Sequence, residues 1–180
     1  MIANMVTKRK EKLGDFWRLV RPFLPALFIM AAIFYFSAQP GDDSSETSEF
    51  VGMHVFTTVN MVFGLGWTME KIAELSVVAD GVLREVAHFL EFMCLGLALF
   101  HGFRKTVEPQ GQILYRWTLP SLVISVLYAV SDEIHQRFVP DRAAQLGDVL
   151  CNSVGAAAGV LICTLYYLIR SKQSAWIGNR

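Results

Sequence analysis

Four apolar segments, separated by polar connections, are the feature that most constrains the fold of this chain. They comprise Phe23–Ala38, Val86–Phe103, Trp117–Val130 and Leu146–Ile169. The hydrocarbon core of a membrane holds no water to bond backbone N–H and C=O groups, so an apolar segment that crosses it must be helical. Charged residues make up only 18% of the chain, against about 25% in a soluble domain. We therefore predict an all-α membrane protein, built as a bundle of four transmembrane helices.

The distribution of basic residues predicts which way this bundle faces. Cytoplasmic connections carry an excess of lysine and arginine. Of the 16 basic residues, only Lys71, Arg84, Arg137 and Arg142 follow the first or the third apolar segment. Both termini are therefore predicted to lie in the cytoplasm (N-in/C-in). The predicted domains are a cytoplasmic basic arm (residues 1–22), a transmembrane domain (residues 23–169) and a cytoplasmic tail (residues 170–180).

The first extracytoplasmic connection, Gln39–Glu85, is the longest. It opens with an acidic, serine-rich stretch, Pro40–Glu49, and continues with the apolar stretch Phe50–Phe63. The apolar stretch is too short and too mixed for a membrane crossing, which needs about 20 residues. We expect it to form an interfacial or re-entrant helix, and we expect Glu70–Ala79 to form a second short helix.

Polar and titratable side chains gather at the predicted outer ends of all four membrane helices. On the second helix, Arg84, His88 and Glu91 are spaced four and three residues apart, which places them on one helical face. Charged side chains are expensive in a membrane, so we expect the helices to bring these groups together, with Arg84 and Arg142 neutralising the carboxylates. The candidate ligand-binding residues are Ser37, Gln39, Arg84, His88, Glu91, Asp132, Glu133, His135, Gln136, Arg142, Asp148 and Asn152.

Small residues on the fourth helix predict where two helices touch. Gly155 and Gly159 form a GxxxG pattern and continue the face that carries Asp148 and Asn152. A pattern of this kind lets two helix backbones approach closely.

Four blocks of this chain resemble the VanZ-like family, in matching order and spacing. They are FSAQP at Phe36–Pro40, REVAHFLEF at Arg84–Phe92, SDEIHQRFVPDR at Ser131–Arg142 and DVLCNSVG at Asp148–Gly155. The third block is the most specific of the four. The chain departs from the family pattern at Glu85, where a lysine is common, and at Phe92, where an aromatic hydroxyl is frequent.

The resemblance implies a multi-pass protein of the cell membrane, from a family associated with low-level resistance to the glycopeptide teicoplanin. It supplies no catalytic residue. Residues and resemblance together favour a polar pocket on the extracytoplasmic side that binds membrane lipids. A lipoglycopeptide antibiotic or a lipid-linked cell-wall precursor is a further expected partner. The net charge of zero gives no indication of nucleic-acid binding.

Other roles stay open for the polar residues. One is a structural hydrogen-bond network that locks the helices together. Another is an enzyme, a hydrolase or transferase, that acts on an envelope lipid, because paired carboxylates beside a histidine can exchange protons with a substrate. A proton or ion pathway is the third. The spacing of these residues matches no metal-binding signature, so we expect neither a metal nor a cofactor.

Overall fold

The computed structural model describes residues 14–108, 112–142 and 145–178, and within them it forms five long helices joined by short connections, with a π-helical turn, Leu114–Thr118, directly before the fourth. The helices are α1 (Gly14–Ser37), α2 (Gly41–Phe63), α3 (Met69–Thr106), α4 (Leu119–Gln136) and α5 (Leu146–Gly178). The described residues are therefore all-helical, as predicted. Residues 1–13 of the predicted basic arm and residues 179–180 of the tail lie outside the described part.

Three helices in the described part are long and apolar enough to cross a membrane. They are Gly14–Ser37, Met69–Thr106 and Leu146–Ser171, which contain nearly all of the first predicted span and the whole of the second and fourth. The third predicted span corresponds to the end of the π-helical turn Leu114–Thr118 and most of α4, which has 18 residues. Five of the last six residues of α4 are polar or titratable, and Ile134 is the exception. A fourth crossing by α4, and the N-in/C-in orientation, therefore stay predictions.

The first connection is more regular than the sequence predicted. Its acidic stretch and its apolar stretch form the single helix α2, and Asp42 and Asp43 lie in the first turn, where carboxylates interact favourably with the helix dipole. The predicted short helix Glu70–Ala79 was wrong as a separate element, because α3 runs unbroken through it. With 1.5 Å per residue, the 38 residues of α3 extend about 57 Å, well beyond a hydrocarbon core of about 30 Å.

Helix α2 folds back along the first half of α3 as an antiparallel hairpin. The turn places Gly64 and Gly66 at positive φ angles of 61° and 67°, which glycine adopts without steric penalty. The side chain of Asn60 bridges the turn, donating to the carbonyl of Trp67 at 3.1 Å and accepting from its backbone N–H at 2.9 Å. Gly52 lies against α3, where a Cβ atom would come within 3.1 Å of the Ser76 side chain.

Helices α3 and α5 approach closely through glycine, as the GxxxG pattern predicted. A Cβ atom at Gly155 would collide with the carbonyl oxygen of Phe89, and one at Gly159 would collide with that of Met93. On the facing helix, Gly96 lies equally close to the backbone of Ala156. This contact fixes the height of α5 against α3 and so aligns the polar residues near their outer ends.

Helix α4 presents a stripe of small residues to the bundle. Ser121, Ser125 and Ala129 are fully buried, and the two hydroxyls donate to carbonyls one turn back in their own helix. The stripe ends in Asp132 and Gln136, which are buried as well. The face that packs α4 into the core therefore also carries its polar end into the interior.

Candidate ligand-binding site

The last turns of α1 and α4, the middle of α3 and the first turns of α5 meet at one end of the bundle. The convergence that the sequence predicted is thus present in the structure. Three kinds of environment exist there, and they separate the twelve candidate residues. Some side chains hold helices together, some line a polar cavity, and one stacks at the side of the bundle.

A buried triad joins α1 to α4. Ser37 donates its hydroxyl to Asp132 Oδ2 at 3.0 Å, and Gln136 donates Nε2 to the same oxygen at 3.1 Å. The exposed fractions of the three residues are 0%, 3% and 4%. Because all three side chains are almost fully buried, the triad fixes the end of α1 against α4.

Glu133 connects α4 to α5. Its Oε2 accepts the backbone N–H of Gln145 at 2.9 Å, immediately before α5 begins at Leu146. The first N–H groups of a helix have no partner within the helix, and a carboxylate satisfies one of them and interacts favourably with the helix dipole. Glu133 therefore serves as a cap supplied by a neighbouring helix.

The loop after α4 carries Arg142 over the same end of the bundle. Arg142 donates Nε to the carbonyl of Gln39 at 3.2 Å, and the backbone N–H of Gly41 donates to the carbonyl of Pro140 at 3.2 Å. Burial, and then the positive charge of Arg84, lower the pKa of Arg142 from its ordinary value. An arginine side chain nevertheless stays charged. Two backbone contacts thus hold a cation in place above α3.

Arg84 makes a different ion pair from the one predicted. It pairs with Asp80 at 2.9 Å, one turn back on α3, rather than with a carboxylate of the candidate group. Asp80 also accepts hydrogen bonds from the hydroxyls of Ser45 and Ser48 on α2. The prediction failed because Asp80 is four residues away on the same helix, where the ion pair needs no tertiary contact. Asp80 thereby links α2 to the Arg84 side chain on α3.

Two histidines occupy distinct places. His88 lies 3.3 Å from Glu91 on the same face of α3, without the geometry of a hydrogen bond. His135 stacks on Phe34 of α1, with ring centroids 4.3 Å apart and planes inclined by 15°. The first histidine faces the centre of the polar group, and the second contributes to the contact between α1 and α4.

Two cavities open beside Arg84, His88 and Arg142, which line both of them. The larger one, here called the polar cavity, has a volume of about 370 Å³. Its lining consists of Gly81, Arg84, Glu85, His88, Gln136, Asp141, Arg142, Gln145, Asp148, Cys151 and Asn152. The smaller one, here called the side cavity, has a volume of about 220 Å³ and lies between the end of α1, α2 and α3. Its apolar lining consists of Phe36, Val51, Leu83 and Ala87.

Unsatisfied polar atoms concentrate at this end. In residues 14–108, 112–142 and 145–178, every buried side-chain nitrogen or oxygen without a hydrogen-bond partner belongs to a candidate residue: His88, Glu91, Asp132, Glu133, His135 and Asn152. The amide of Asn152 lacks a partner at both its nitrogen and its oxygen, although the residue is only 1% exposed and lines the polar cavity. Buried polar groups in native proteins are normally paired with protein, water or a bound molecule.

The sequence-predicted group thus divides into two sets. Arg84, His88, Gln136, Arg142, Asp148 and Asn152 line the polar cavity, and Gln39 and Glu91 line the side cavity. Ser37, Asp132, Glu133 and His135 line neither of the two and make the helix contacts described above. The sequence reasoning missed Asp80, Glu85 and Asp141. The four-residue spacing of Asp80 and Arg84 was the signal that would have identified the first of them.

No three histidine, cysteine, aspartate or glutamate side chains within the described ranges are placed to hold a metal ion.

Comparison with known proteins gives one match. That match is to a family model, because no curated protein and no solved structure matched the chain. A family model described as VanZ/LLP1 matches residues 23–168, which include every candidate residue and the four predicted membrane segments except Ile169. The chain therefore belongs to the VanZ/LLP1 family.

Proposed function

We propose that this membrane protein binds an amphiphilic lipid of the cell envelope, with the lipid headgroup in the polar cavity and the start of its chain in the side cavity. The observation that carries this proposal is the pair of cavities that share Arg84, His88 and Arg142. One compartment offers charged and amide groups, and the adjoining one offers aromatic and aliphatic side chains. A molecule with a polar head and an apolar chain is complementary to both.

The polar cavity is suited to a headgroup in size and chemistry. Its volume of about 370 Å³ lies in the range of about 300–1,000 Å³ that is typical of small-molecule sites. Arg142 can bind a phosphate or carboxylate with two parallel hydrogen bonds. Its backbone contact with Gln39 restrains the guanidinium before a ligand arrives, which reduces the entropy lost on binding.

The N-in/C-in orientation predicted from the basic residues puts this site on the extracytoplasmic side, and an envelope lipid or a lipid-linked cell-wall precursor is the proposed ligand there. The association of VanZ-like proteins with teicoplanin resistance agrees with such a ligand, because teicoplanin carries a fatty-acyl chain. A site for an amphiphilic molecule could hold a lipid that the antibiotic needs, and it could equally hold the antibiotic itself.

The experiment compares the lipids that stay bound to the purified full chain. Native mass spectrometry measures bound phospholipid for the wild type, for Arg142→Gln and for Arg137→Gln. Arg137 is the matched control because it is exposed on the same loop and lines neither cavity. A hydrogen-bonded charge contributes about 1.5–3 kcal/mol, so we expect Arg142→Gln to retain phospholipid about tenfold less. Arg142→Lys should be intermediate because it keeps the charge and loses the paired geometry.

Equal retention in Arg142→Gln and Arg137→Gln, with both variants folded, would contradict the proposal. Thermal unfolding in detergent provides the check on folding. A loss of binding in both variants would also count against it, because Arg137 lies outside the proposed site.

A second candidate function is an enzyme that acts on such a lipid. The observation that favours it is His88, which lines both cavities and has the Glu91 carboxylate 3.3 Å away, so that an imidazole and a carboxylate lie beside the proposed ligand. Incubation of the purified chain with envelope lipids, followed by mass spectrometry, tests it. A product that forms with the wild type and not with His88→Gln supports catalysis, and unchanged lipids after prolonged incubation contradict it.

A further inference from the structure

The charges around the polar cavity are mixed in sign. Five charged side chains other than His88 line it among the described residues: the cations Arg84 and Arg142, and the anions Glu85, Asp141 and Asp148. Arg84 is already paired with Asp80, which lies beneath it. The cavity therefore offers one guanidinium without a carboxylate bonded to it, together with an excess of carboxylate. A purely anionic headgroup would face this excess of negative charge.

Acceptors predominate on the α5 side of the cavity. Asp148 and Asn152 lie one turn apart on α5 and both line the cavity. Asn152 is 1% exposed, and neither its Oδ1 nor its Nδ2 has a hydrogen-bond partner, which is an independent indication that a molecule able to donate to this amide and to accept from it belongs there. A carboxylate and an amide oxygen on one face accept hydrogen bonds from an amine or a hydroxyl.

The cation comes from a different element. Arg142 reaches the cavity from the loop after α4, where its Nε is held by the carbonyl of Gln39. The site is thus divided into a cationic side, formed by Arg142, and an acceptor side, formed by the start of α5. A ligand that matches both must carry a negative charge and a hydrogen-bond donor within one small headgroup.

We propose that the polar cavity selects a zwitterionic headgroup, in which a phosphate contacts Arg142 and a primary ammonium contacts Asp148 and Asn152. This inference rests on the proposed function, since it specifies the headgroup of the lipid bound there. A primary ammonium supplies three N–H donors to the acceptors on α5 and places a positive charge beside the Asp148 carboxylate. A quaternary ammonium supplies the charge without any donor, and a glycerol headgroup supplies hydroxyl donors without the positive charge.

A comparison of these three lipid headgroups tests the proposed selectivity directly. The purified full chain is placed in bilayer nanodiscs that contain equal amounts of phosphatidylethanolamine, phosphatidylcholine and phosphatidylglycerol. The lipids that remain bound after exchange into detergent are counted by native mass spectrometry. We expect phosphatidylethanolamine to be retained about tenfold over each of the other two, because charge-assisted hydrogen bonds are roughly twice as strong as neutral ones.

Two aspartate variants separate the site from the general charge of the protein. Asp148→Asn removes the charge at the acceptor side, and Asp43→Asn removes one from an exposed position on α2 that lines neither cavity. We expect Asp148→Asn to reduce the preference for phosphatidylethanolamine to about twofold while total lipid retention through Arg142 persists. Asp43→Asn should keep the full preference.

The outcomes distinguish this inference from the function on which it rests. Retention of all three lipids without preference, or a preference for phosphatidylglycerol, would overturn the zwitterion proposal and leave lipid binding standing. A preference that survives in Asp148→Asn would overturn it as well. Retention of none of the three lipids by the folded wild type would overturn both.

Discussion

Removal of the Ser37 hydroxyl tests the triad that joins α1 to α4. In Ser37→Ala, Asp132 Oδ2 loses the 3.0 Å hydrogen bond from Ser37 and keeps the one from Gln136. Oδ1 of the same carboxylate has no partner among the described residues, so the side chain is already under-satisfied. The variant introduces no steric clash, because alanine is smaller than serine.

The size of the effect follows from burial. Hydrogen bonds between helices in membranes contribute about 0.6 kcal/mol on average and about 1.7 kcal/mol at most. Bonds to charged groups lie higher, at about 1.5–3 kcal/mol. Ser37 is 0% exposed and Asp132 only 3%, so water cannot replace the lost donor. We therefore expect the upper part of the membrane range, about 1–2 kcal/mol, or roughly a 5- to 30-fold change in the ratio of folded to unfolded protein.

The assay is reversible unfolding of the purified full chain in mixed micelles, followed by circular dichroism. Ser131→Ala is the matched control, since Ser131 is exposed on α4 and donates only to the carbonyl of Tyr128 in its own helix at 2.8 Å. We expect this control to change the free energy of unfolding by less than about 0.5 kcal/mol, as is usual at surface positions.

A double-mutant cycle with Asp132→Asn completes the test. If Ser37 acts through the carboxylate, the two substitutions should be coupled by at least about 0.5 kcal/mol, as contacting residues usually are. Additive effects of the two substitutions would refute the reasoning. Equal destabilisation by Ser37→Ala and Ser131→Ala would refute it too, because burial would then not determine the size of the loss.

Three further predictions concern packing, capping and accessibility. Gly159→Ala should destabilise the protein by about 1–3 kcal/mol through collision with α3, whereas Gly81→Ala, with open space around it, should be neutral or stabilising in thermal unfolding. Glu133→Ala should speed hydrogen exchange of the Gln145 amide about fivefold, because the loss of a cap costs about 1 kcal/mol. Cys151 lines the polar cavity, so in a variant with the other cysteines replaced it should react with an impermeant thiol reagent added outside intact cells.

Each of these three predictions has an outcome that would contradict it. Similar unfolding temperatures for the two glycine variants would show that α3 and α5 do not depend on the close approach. Unchanged exchange at Gln145 would mean that the helix end is protected in another way. Reaction of Cys151 only from the cytoplasmic side of inverted vesicles would reverse the predicted orientation.

The features that were predicted correctly from the sequence follow from local patterns of residue type and spacing. The apolar segments required helices, because no other structure satisfies the backbone within a membrane. Glycines spaced four residues apart marked the contact between α3 and α5, since only the missing Cβ lets the backbones approach. Three- and four-residue spacing placed Arg84, His88 and Glu91 on one face. The predicted helix boundaries were wrong where an apolar and a polar stretch follow one another inside a single helix, as in α2 and α3.

The tertiary structure decided how the polar residues divide between structure and site. In the sequence, Asp132 and Asn152 are equally good candidates for ligand binding. The position of α1 places Ser37 against Asp132 and gives that carboxylate a structural role. No group of the described residues forms a hydrogen bond with the amide of Asn152, which stays unsatisfied at the wall of a cavity. Residue type and helical spacing fix which groups face inward, but a partner 95 residues away in the chain is set only by how the helices pack.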